Sequence, residues 1–140
     1  MINLELQKIK DCSEDELLSI GRRFMDNSRY SEAEIIFDML YKKGGTVMKE
    51  ISSMYDFLAH SLTKRIPEDI IADGVIRCMA TLTEMHAEKT LSKESFFDIE
   101  TLIDRLPFRK MTIPNREEFE RIYCKFKEYS IDIFLGKNRR

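Results

Sequence analysis

Proline and glycine are scarce in this chain, three and five among 140 residues, and tryptophan is absent. So few residues that break or bend the backbone make a composition suited to helix, and no stretch shows the sustained alternation of a strand. Cysteine is equally sparse. Cys12, Cys78 and Cys124 are odd in number and far apart, which argues against a disulfide framework and fits a reducing compartment. No uncharged run approaches the length of a membrane span, and the opening MINLELQKIKDC lacks the basic start and apolar stretch of a signal peptide. No membrane association is expected, and the expected location is cytoplasmic.

Chemistry-bearing motifs are missing as well. The two histidines, His60 and His86, lie far apart, and neither sits in an H-E-x-x-H or similar ligand spacing. Cys78 and His86 can share one helix face, but a thiol and an imidazole alone do not complete a metal site. Neither G-x-x-x-x-G-K nor G-x-G-x-x-G occurs, so no phosphate cradle is visible. The paired acids Glu94/Asp98 and Glu100/Asp104 fall at helical spacing beside Lys93 and Arg105, as on a solvated helix face. The chain therefore reads as a non-enzyme with neither metal nor cofactor.

What is present is amphipathic helix. Hydrophobic residues make up 43% and charged residues 34%, the balance of a globular chain whose helices each carry one apolar and one charged face. At 140 residues the length suits one domain with a real core. Net charge is −2, yet residues 1–104 carry −7 and residues 105–140 carry +5. Such a split steers an acidic partner to one end or lets the two ends attract.

Ser13-Glu14-Asp15-Glu16 has the form of a capping box and predicts a helix start. Apolar residues follow at helical spacing through Met25, and Asp26-Asn27-Ser28 supplies a turn. A second helix is predicted from Tyr30, with Ala33, Ile36, Phe37 and Leu40 on one side and Gly44 closing it in the left-handed conformation. Thr46 is expected to cap a third, Pro67 to occupy the first turn of a fourth, Ser92 to start a fifth, and Asn115 with Glu118 to box a sixth. The expected fold is all-α: three successive antiparallel hairpins over 14–45, 46–90 and 91–136, with a short leading helix at 3–10 and a basic tail at 137–140.

The first hairpin contains Ile20-Gly21-Arg22-Arg23-Phe24 and then Ala33-Glu34-Ile35-Ile36-Phe37. In these residues and their separation it resembles the tetratricopeptide repeat, whose pattern includes L-G-x2-Y and A-x3-F. Leu17 stands where that family has its tryptophan, Ser28 replaces the turn glycine, Leu40 an alanine, and Gly45 the terminal proline. The later hairpins lack the spacing. The segment 17–40 is also similar to the first repeat of the small chaperones of bacterial type III secretion.

The resemblance implies a protein-binding adaptor or chaperone that holds a segment of a protein or peptide partner in a concave groove lined by the first helix of each hairpin. Its groove residues here would be Asp15, Leu18, Arg22, Met25 and Asp26. Two other readings stand beside it. The aromatic stripe Phe119, Tyr123, Phe126 and Phe134 of the last helix is compatible with a homodimer. The basic carboxyl-terminal region, with Arg105, Arg109, Lys110, Arg116, Arg121, Lys125, Lys127 and the tail, suits a dimeric nucleic-acid-binding regulator, although Glu117, Glu118, Glu120 and Glu128 are interleaved with it.

Overall fold

The computed structural model describes residues 11–136, so the predicted leading helix at 3–10 and the basic tail at 137–140 lie outside the described residues. Within that range the expected all-α class is what the chain adopts. Six α-helices follow one another: α1 (Glu14–Asp26), α2 (Tyr30–Lys43), α3 (Thr46–Leu62), α4 (Glu68–Ala87), α5 (Lys93–Asp104) and α6 (Arg116–Phe134). A single 3-10 turn, Phe108–Lys110, interrupts the last connection, and the described residues form no strand. None of these helices is long and apolar enough to cross a membrane. The chain divides after Arg65 into two compact units, with α1 to α3 in the first and α4 to α6 in the second.

In the first unit α1 begins on the predicted capping box. Ser13 Oγ accepts from the Glu16 amide at 3.2 Å, and Glu16 Oε1 accepts from the Ser13 amide at 3.1 Å. The bonds from the Ser13 backbone and side chain hold the Glu16 carboxyl below its ordinary value. The helix ends in a Schellman motif. Arg29 N–H donates to Phe24 O at 2.8 Å and Ser28 N–H to Met25 O at 3.0 Å, with Ser28 at φ 60°. Thus Ser28 takes the left-handed conformation that glycine usually supplies at a helix end.

Helix α1 turns Leu17, Gly21 and Met25 inward, one residue per turn. A Cβ on Gly21 would lie 2.6 Å from Cζ of Phe37 and 2.8 and 3.0 Å from its two Cε atoms. Such nearly equal distances put it over the face of the ring. The same ring lies parallel to that of Tyr55 on α3, with centroids 4.5 Å apart. One residue from each helix therefore meets in a single contact, and Phe37 and Tyr55 are both fully buried.

Gly44 differs from expectation. Its backbone is extended at φ −84°, ψ 163°, and a Cβ there would fall 2.6 Å from Met48 Cβ and 2.9 Å from Leu40 O. The glycine answers to crowding at the α2–α3 corner. Thr46 is the first helical residue of α3, after an N-cap at Gly45, and Pro67 is itself the N-cap of α4.

The second unit is built around aromatic contacts and one ionic network. Phe96 of α5 stacks on Phe126 of α6 at 5.6 Å, and Phe108 packs against Phe119 and Tyr123 at 5.2 and 5.6 Å. Lys127 Nζ lies 2.9 Å from Glu100 Oε2 and 2.6 Å from Asp104 Oδ2, while Ser130 donates to Glu100 Oε1 at 2.7 Å and Tyr123 to Asp104. Glu100 is buried and needs these partners. Asn115 does not form the predicted box. It sits in the left-handed region at φ 51°, ψ 54°, not in the extended conformation of a capping residue, and makes no side-chain cap, while Glu118 pairs with Arg121.

Two substitutions test this packing. Helix propensity alone would make Gly21→Ala stabilising by about 1 kcal/mol, but forcing a methyl into the Phe37 ring is expected to reverse the sign, to a net loss of about 1 kcal/mol. Urea unfolding followed by circular dichroism reads it. Lys127→Met is expected to cost about 1–3 kcal/mol by leaving Glu100 without its cation, and adding Glu100→Gln should recover part of that loss.

Candidate functional site

The face of α1 expected to meet a partner lies beside its buried stripe. Asp15 and Asp26 are exposed, Leu18 and Arg22 are half-buried, and Met25 is fully buried. Four of the five residues therefore line one margin of the helix, whereas Met25 belongs to the i, i+4, i+8 stripe with Leu17 and Gly21. In the first hairpin Leu17 and Phe37 are buried, while Ile20 and Phe24 are half-buried.

A second, polar feature joins α2 and α3. A recess of about 290 Å³ is lined by Phe37, Asp38, Tyr41, Ser52, Ser53 and Asp56. Nearby, His60 Nδ1 lies 2.8 Å from the Asp56 carbonyl oxygen, 3.2 Å from Glu34 Oε1 and 3.6 Å from Asp56 Oδ2. Arg65 completes the group by pairing with Glu34. Its position follows from the end of α3, another Schellman motif, in which Lys64 takes φ 60° and Arg65 N–H donates to His60 O at 3.0 Å. Burial, opposed by His60, raises the Asp56 carboxyl above its ordinary value. A spacing search confined to histidine pairs misses this group, whose one local signal is Asp56-x3-His60.

The second unit carries an apolar groove of about 500 Å³ between α4 and α6. Its floor includes Ile76, Met79, Ala80 and Phe126, with Glu84 and Lys125 at its edges. Tyr129 also lines it, and its hydroxyl shares a hydrogen bond of 2.9 Å with His86 Nδ1. Of the aromatic stripe on α6, Phe119 and Phe126 are buried and Tyr123 is half-buried; Phe134 is exposed, as are Ile131 and Leu135.

Burial pushes the Cys78 thiol up to about 12, so the nucleophilic thiolate is not formed at neutral pH. Several cations of the basic region have partners within the second unit. Arg116 donates to Phe108 O at 2.9 Å and Met111 O at 2.6 Å, Arg121 pairs with Glu118, and Lys127 with Glu100 and Asp104.

Comparisons with protein-family models, curated proteins and solved structures find no match.

Burial, with Lys93 as a smaller cause, lowers the His86 imidazole below its ordinary value of 6.5. A depressed histidine favours the neutral folded form, so this contribution is intact above pH 6.5 and is lost as pH falls through the lower folded value. Stability measured by urea midpoint should decline between neutral pH and about pH 5, and His86→Gln should flatten that slope. An unchanged slope in the variant would remove His86 as its source.

Proposed function

We propose that this chain is a non-enzymatic, tetratricopeptide-like protein-binding module that holds a segment of another protein along the margin of α1 beside its buried stripe. The observation that carries the reading is the Gly21–Phe37 contact. It gives a physical use to the mid-helix glycine of the family pattern, which otherwise costs about 1 kcal/mol against alanine. The three-residue connection between α1 and α2, and the start of α3 soon after the hairpin, support a repeat followed by the first helix of another.

On this reading Leu18 supplies apolar contact and the Arg22 guanidinium meets a partner carboxylate, with Asp15 and Asp26 setting the charge at either end. A partner with an apolar segment and an acidic residue within one helical turn fits that margin. A chaperone for an exported subunit is one form of the same activity. The nucleic-acid reading is less well supported, since Arg116, Arg121 and Lys127 are engaged inside the second unit.

Affinity capture from a native lysate with mass spectrometry tests the proposal. A stoichiometric protein partner should be retained by the wild type and by Arg23→Glu, whose side chain lies off the margin, and should be lost with Arg22→Glu. Retention by all three would move binding away from α1.

A further inference from the structure

We propose that Glu34, Asp56 and His60 form a binding site for a divalent first-row cation of the zinc class. Glu34 projects from α2, and Asp56 and His60 stand one turn apart on α3. One ligand atom from each lies within 4.8 Å of the other two. The two distances from His60 Nδ1, 3.2 Å to Glu34 Oε1 and 3.6 Å to Asp56 Oδ2, bracket the edge of a tetrahedral site, about 3.4 Å for metal–ligand bonds of about 2.0–2.2 Å.

The chemistry of the donors agrees. One imidazole and two carboxylates suit a borderline cation such as zinc better than magnesium or calcium, which take oxygen ligands. Without metal, the Nδ1 proton is turned toward the Asp56 carbonyl and two carboxylates, and a cation replaces that proton among the same oxygens. The polar recess lined by Asp38, Ser52 and Ser53 also has Asp56 in its wall. Asp38 adds a third carboxylate to the field acting on Asp56.

Arg65 makes the site selective for an ion that can compete. Its guanidinium is paired with Glu34 Oε1, the same atom that lies 3.2 Å from His60, so cation binding displaces an internal cation. Loss of Arg65 should therefore tighten binding, whereas an ordinary surface ion pair offers no such effect. The site lies on α2 and α3 and does not depend on the reading of α1.

Isothermal titration of the full chain with Zn²⁺ provides the test, with Co²⁺ as a spectroscopic probe. One ion per chain is expected, bound at least ~10-fold more weakly by His60→Ala and by the isosteric Asp56→Asn, and about fivefold more tightly by Arg65→Gln. Circular dichroism of each variant checks that its helices are kept. The Co²⁺ spectrum should lack a thiolate charge-transfer band. No zinc binding, binding that both ligand variants leave unchanged, or a thiolate band pointing to Cys12 or Cys124 would overturn the proposal.

Discussion

The first unit depends on the approach of one backbone to one aromatic ring. Where Gly21 passes over Phe37 there is no room for a side chain, and the same ring is stacked on Tyr55. Burying two aromatic side chains brings a large apolar contribution, but only if α1 comes close enough to close over them. A glycine in the middle of a helix is locally unfavourable and tolerated here because packing returns more than propensity loses. The remaining inward residues of α1, Leu17 and Met25, lie one turn to either side of it.

That constraint also decides which residues of α1 lie outside the buried stripe. Once Leu17, Gly21 and Met25 point inward, the next face of α1 holds Leu18 and Arg22 at its half-buried margin and Asp15 and Asp26 in solvent. Phe37 and Asp56 both line the polar recess, so the aromatic contact and the candidate cation site share a boundary. The end of α3 does the rest. Its left-handed cap at Lys64 reverses the chain so that Arg65 reaches Glu34 beside His60.

The all-α class and the six helices of the described residues were legible because the apolar residues recur every three or four positions and two starts carry serine caps, Ser13 and Ser92. The ends were harder to read. Ser28, Lys64 and Lys89 adopt positive φ at helix ends where glycine is the usual marker, so nothing in their identity announces the cap. Gly44 misled in the opposite sense, being a glycine required for space at an extended position. At the candidate sites, Met25, expected on the partner face, lies buried in the stripe with Leu17 and Gly21, since a hydrophobic periodicity does not say which edge of the stripe is covered. The group of Glu34, Asp56 and His60 was invisible to local spacing because one ligand comes from a different helix. Only the packing of α2 on α3 brings it there.

The proton resonances of Gly21 give the most direct measure of the contact on which this account of the first unit rests. With the glycine held over the face of the Phe37 ring, one of its two α protons should be shifted well upfield by the ring current, and Phe37→Leu should return it to the ordinary range. Two Gly21 α protons at ordinary shifts in the folded wild-type chain would mean that α1 does not close over Phe37, and the packing described for the first unit would be wrong.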